Sequence, residues 1–130
     1  MLMGAALVCF TACLNEGMTG SASVTGVYTL RTINGAPLPY TLSGSGANKT
    51  ELMSDAITLF QGGTYSRQRD VRITTNGQVT QEATTEGGSY TLFGNSISMR
   101  AAGTGPQVQA IINGNTMTMV DAGITAVFSK

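Results

Sequence analysis

Beyond Thr25 the chain alternates apolar and polar residues in short runs, and no stretch sustains a 3.6-residue apolar period. The runs are Thr25–Ile33, Tyr40–Leu42, Leu52–Phe60, Thr64–Thr75, Gln78–Thr85, Ser89–Phe93, Ser96–Ala101, Gln107–Ile112, Thr116–Val120 and Ile124–Ser129. Each is bounded by Gly, Asn or a similar turn residue, so each predicts a β-strand. The interval between Leu42 and Thr50 is rich in Gly and Ser and predicts the longest flexible coil. A short helical turn near Glu51–Ala56 is an alternative for that segment.

Side-chain facing tests the turns. In a two-residue hairpin, directly opposed residues share a face. A turn at Gly94-Asn95 pairs Leu92 with Ile97 and Tyr90 with Met99. A turn at Gly114-Asn115 pairs Ile112 with Met117 and Ala110 with Met119, and one at Ala122-Gly123 pairs Met119 with Ala126 and Met117 with Phe128. Turns chosen only for their Gly chemistry thus yield one apolar face, with Thr, Ser and Arg opposite. Tyr28 and Leu30 extend that face into the first strand.

The Asn76-Gly77 hairpin differs. It opposes Arg72 to Gln81, Asp70 to Ala83, Val71 to Glu82 and Arg67 to Glu86, so neither face is apolar. Its tip, 73–80, is expected to project past the sheet into water, with an exposed Arg67–Glu86 pair worth a few tenths of a kcal/mol. A meander of short strands leaves edges that invite aggregation, and closure removes them. With three prolines and 11% charged residues to blunt edges, the expectation is an all-β fold: a closed antiparallel up-and-down barrel of about eight to ten short strands.

Composition narrows the chemistry. Seven Lys and Arg balance seven Asp and Glu, which leaves no basic excess to hold a phosphate backbone, so no nucleic acid is expected as partner. Histidine is absent, which removes Ser-His and Cys-His catalysis and the commonest zinc ligand. The carboxylates read as solvated surface acids, and Trp is absent, so no sugar platform accompanies them. The expectation is a protein that is not an enzyme, with no catalytic residue, cofactor or metal. Of the two cysteines, Cys9 and Cys13, neither staples the domain.

The first residues read as an address. Residues 1–12 are uncharged and mostly apolar, and the composition turns polar after Cys13, as in an export signal. The ending Phe10-Thr11-Ala12-Cys13 resembles the lipobox of bacterial lipoproteins. That resemblance implies a signal peptide over 1–12, lipidation of Cys13, and a membrane contact through an N-terminal lipid anchor. No Lys or Arg precedes Cys13, so a few basic residues are expected upstream of Met1. The competing reading is an apolar strand or helix packed on the domain; a membrane-spanning helix needs roughly 20 apolar residues. A polar linker over 13–23 and a barrel domain over 24–130 complete the expected organisation. Leu14 is not the Asp of an inner-membrane retention signal, so the expected location is the outer membrane or cell surface.

Gly26-x-Tyr28-x-Leu30, followed by Ile33-Asn34-Gly35-x-Pro37-Leu38-Pro39, resembles the opening of small lipocalin-like barrel lipoproteins of bacteria. Ile57-Thr58-Leu59 with Gly62-Gly63-Thr64-Tyr65, and Gly88-Ser89-Tyr90 with Gly94-Asn95, resemble later hairpins of that family. The resemblance implies a lipocalin-like barrel in the cell envelope. Tyr28 stands where classical lipocalins have Trp.

One constellation concerns the lumen. A three-residue loop at Gln61-Gly62-Gly63 sets Leu59 against Tyr65, Ile57 against Arg67 and Asp55 against Arg69. With Leu59 and Tyr65 inward, Arg67 and Arg69 point toward one mouth, where Asp55 and Glu86 are in reach. Unpaired, they would be costly there. The cluster would give a polar mouth for an anionic or polar small ligand; alternatively a bulge turns the arginines outward, or they form a paired plug with no ligand. Met99, Met117, Met119 and Phe128 would line an adaptable apolar pocket or simply fill the core. Two functions follow. One is an envelope binding module for a small apolar or amphipathic ligand. The other is a structural lipoprotein whose filled barrel contacts an envelope protein partner through its outer face or projecting hairpin.

Overall fold

The computed structural model describes residues 24–103, 105 and 107–130. The expected signal peptide over 1–12, Cys13 and the rest of the linker lie outside the described residues. The strands are β1 (Gly26–Ile33), β2 (Ala36–Pro37), β3 (Tyr40–Ser45), β4 (Asn48–Leu59), β5 (Thr64–Thr75), β6 (Gln78–Phe93), β7 (Ser96–Ala101), β8 (Gln107–Asn113), β9 (Thr116–Asp121) and β10 (Ile124–Ser129). They form one sheet in the order β2-β1-β10-β9-β8-β7-β6-β5-β4-β3. A further pairing, of Gly26 to Thr29 on β1 with Leu59 to Ala56 on β4, closes it. The result is an antiparallel up-and-down barrel of eight strands, with β2 and β3 as outer appendages.

The turns that organise the meander are those the Gly chemistry predicts. Asn76-Gly77 and Ala122-Gly123 have positive φ at both central residues, the type I′ form, and Gly94 and Gly114 have it at the first. The resulting ladders oppose Leu92 to Ile97, Ile112 to Met117 and Met117 to Phe128. These inward residues fill the barrel. Tyr28, Ile57, Ile97, Met117 and Phe128 are fully buried, each contributing about 1.5–3 kcal/mol relative to exposure. The hydroxyl of Tyr28 donates to the Val24 carbonyl at 2.8 Å and that of Tyr90 to the Phe60 carbonyl at 2.7 Å. The inward phenols therefore bring no unpaired polar group into the core.

Two local expectations are corrected, and the helical alternative at Glu51–Ala56 is set aside in favour of the expected strand. The coil expected between Leu42 and Thr50 is a hairpin: β3 pairs with the start of β4, Ser45 opposite Asn48. The segment Glu51–Ala56 is strand throughout, because it pairs with β5 from Glu51 opposite Arg72 to Ala56 opposite Gln68. Gln78–Thr85 and Ser89–Phe93 are one strand, because Gly87 and Gly88 continue the ladder opposite Ser66 and Tyr65. The Asn76-Gly77 hairpin does extend beyond β7, but not alone. The β3–β4 hairpin runs beside its tip, where Asn76 N–H donates to Asn48 Oδ1 at 3.0 Å and Gly77 N–H to the Ala47 carbonyl at 3.1 Å.

Candidate functional site

A cavity of about 220 Å³ opens at the end of the barrel from which this four-stranded arm rises. Its apolar wall comes from Leu30 and Ile33 on β1, Leu52 on β4, Val108 on β8 and Met119 on β9. Asp55, Arg67 and Arg69 supply the polar wall, and Asp121 and Ile124 flank the Ala122-Gly123 turn at the rim.

A bulge places the central carboxylate. Along β4, Leu52 faces the interior opposite Val71, and strict alternation would then turn Asp55 outward. The β4–β5 register shifts between Leu52 and Ser54. The extra residue, Met53, resets the alternation, so Asp55, Ile57 and Leu59 all face inward. Asp55 is 1% exposed and opposes Arg69, while Ile57 opposes Arg67.

Both arginines converge on that one carboxylate. Arg67 donates from Nε to Asp55 Oδ1 at 3.0 Å and from Nη2 to Oδ2 at 2.6 Å, a two-pronged pairing. Arg69 Nε donates to Oδ2 at 3.3 Å. Burial works against the charge of Arg67, but the hydrogen bonds and charge of Asp55 outweigh it and raise the pKa of the guanidinium. The side chain of Arg69 is 44% exposed against 16% for Arg67. One guanidinium is thus spent on the pairing, and the other keeps a face toward water.

The Tyr65 hydroxyl donates to Glu86 Oε2 at 2.9 Å. Burial, reinforced by that carboxylate, pushes the phenol up to about 12. Arg67 and Glu86 are directly opposed on β5 and β6, as the hairpin register requires. Yet the exposed Arg67–Glu86 pair expected from the sequence gives way to Arg67–Asp55 and Tyr65–Glu86. Asp55 has no solvent to fall back on, and leaving it without donors would cost more than leaving Glu86 so.

Of the ligand-binding candidates in the sequence, Asp55, Arg67, Arg69 and Met119 line the cavity. Tyr65 sits beside it in the Glu86 bond, and Met99 and Met117 are core residues outside its lining. Sequence reasoning missed Leu42, Asp121 and Ile124, which reach the cavity from β3 and the β9–β10 turn. The Ala122-Gly123 turn signal was the available clue, since it places its flanking residues at the same barrel end as the arginines. It also missed a second ion cluster on the outward face, where Glu51 Oε1 accepts from Arg72 Nε at 3.0 Å and Oε2 lies 3.6 Å from Lys49 Nζ.

Among the described residues no group of three His, Cys, Asp or Glu side chains is placed to hold a metal ion. No protein-family model matches the chain, and no curated protein matches it. The eight-stranded antiparallel barrel is compatible with the lipocalin-like likeness noted above.

Proposed function

We propose that this protein is a non-enzymatic binding module whose barrel mouth takes a small apolar or amphipathic ligand. The cavity itself carries the proposal: apolar walls end on a carboxylate held by two arginines, one of them partly in water. Few placed polar groups on a mostly apolar concavity are the usual make-up of a small-molecule site. At about 220 Å³ the cavity falls below the roughly 300–1,000 Å³ of drug-sized pockets, so the ligand is small. Leu30, Ile33, Leu52 and Met119 would take its apolar part. Arg69 and Asp121 offer one cationic and one anionic group to its polar part. Both oxygens of Asp55 are engaged by guanidinium donors, which supports a structural rather than an acid–base role.

The same proposal includes the address. Residues 1–12 are the export signal, Cys13 carries lipid, and the barrel is held at the outer membrane or cell surface. The pattern Phe10-Thr11-Ala12-Cys13 supports this. Metabolic labelling with a fatty acid should mark the full chain and leave Cys13→Ala unlabelled. Native mass spectrometry of the purified protein, followed by lipid extraction, tests the cavity. A co-purifying small molecule, lost in Arg69→Ala, is the expected result. Repeated absence of any such molecule from the unaltered protein would overturn the binding reading.

A further inference from the structure

Strand β6 has neighbours on both sides only from Gly88 to Phe93, where β7 joins it. Over 78–87 it pairs with β5 on one side, and no other described strand covers the opposite side. All ten of those residues are exposed. The Gly87 carbonyl accepts from Ala102 N–H at 2.9 Å on the β7 side. Backbone groups alternate sides along a strand. The N–H and C=O groups of Val79, Gln81, Ala83 and Thr85 therefore point to the open side, away from β5. Such a row is a template for one more strand.

The other free borders of this sheet are blunted. Strand β2 is two residues long and contains Pro37. Strand β3 shifts register between Thr41 and Ser43, and its Gly44 has a φ of 77°. The β5–β6 ladder runs from Thr64–Ser89 to Thr75–Gln78 without a shift, and 78–87 contains no proline and no lysine. Its only charges are Glu82 and Glu86, which oppose Val71 and Arg67 and so share the inward-facing side.

Those two carboxylates select the occupant. A second copy, paired antiparallel with matching faces, would bring its own Glu82 and Glu86 opposite or diagonal to these, and like charges at such positions repel. A strand carrying cations at the matching spacing gains instead. Arg67 offsets part of the Glu86 charge from across the ladder, but both arginines donate their hydrogen bonds to Asp55, and Glu82 opposes the uncharged Val71. We infer that the β6 edge binds, by strand addition, an extended peptide segment with two basic residues four positions apart. The site is separate from the mouth cavity and needs no ligand there.

The test uses the full chain and a fluorescent, capped peptide of alternating threonine and valine with two lysines four positions apart, read by anisotropy at about 0.15 M salt. Binding is expected. It should weaken about tenfold when the lysines are five apart, on opposite faces, or are replaced by glutamate. Ala83→Pro removes an N–H on the open side while sparing the β5–β6 ladder, and it should abolish binding with the circular dichroism and melting temperature unchanged. Glu82→Lys should shift preference toward the glutamate peptide, a readout available even if Ala83→Pro fails to fold. Absence of binding, indifference to lysine spacing, or binding that survives in folded Ala83→Pro would overturn the inference. So would a concentration-dependent dimer in sedimentation that Ala83→Pro abolishes, because the occupant would then be a second copy.

Discussion

Asp55 has almost no contact with water and holds the inner end of two arginines. Removing it would strand the guanidinium of Arg67 in a mostly buried position. Breaking a buried pair from one side costs about 3–5 kcal/mol, so Asp55→Ala should lose that much in urea unfolding. Arg69→Ala should lose about 1 kcal/mol or less, because its side chain is 44% exposed. Equal losses in the two variants would contradict this division between a structural and an available arginine. The opposition of Asp55 to Arg69 was legible in the sequence, since the Gln61-Gly62-Gly63 loop sets that register. The choice of Arg67 between Asp55 and Glu86 was not. Both carboxylates are within reach of a long side chain, and burial, which the sequence does not print, decides between them.

Strand β6 shows where turn chemistry misleads. Gly87-Gly88 has the composition of a break, yet the strand runs through it. Gly88 lies opposite Ala101, the last residue of β7, which approaches closely there. A methyl group on Gly88 would overlap the Arg100 carbonyl oxygen and lie 2.8 Å from the Ala101 Cα. Gly88→Ala must therefore push β7 away from β6, at about 1–3 kcal/mol for such overpacking. Gly77→Ala meets no neighbouring atom, though its φ of 81° is itself unfavourable for alanine. The two variants should differ in amide exchange, with protection lost along β7 only for Gly88→Ala. The hairpins of the C-terminal meander were legible because each has a tight turn and one clean apolar face. The β3–β4 hairpin was not, because its residues are mostly exposed and its strand ladder carries a register shift.

Closure makes the barrel one cooperative unit, and its ionisable core sets the pH range over which that unit holds. Tyr28 and Tyr90 have raised pKa values, chiefly because burial disfavours the phenolate, and Tyr65 is raised from 10.0 to about 12. A raised pKa means that folding favours the neutral form. Its stabilisation is complete below pH 10, where the unfolded chain is also neutral, and is lost as the pH climbs from about 10 toward 12. For Tyr65 alone the loss is on the order of 2–3 kcal/mol. On the acid side the sign reverses. The hydrogen bond from Arg72 holds the Glu51 carboxyl below its ordinary 4.5, so that contribution is present above about pH 4.5 and fades below it. Urea midpoints should therefore be flat near neutrality and fall steeply in alkali, in step with the rise of tyrosinate absorbance. Tyr65→Phe isolates the largest shift. It forfeits the bond to Glu86, worth about 1 kcal/mol, and should be the less stable protein at pH 7. Having no phenol to ionise, it should lose less on going to pH 11, so the two stability curves converge there. Parallel curves would mean that Tyr65 ionises as readily in the barrel as in the unfolded chain.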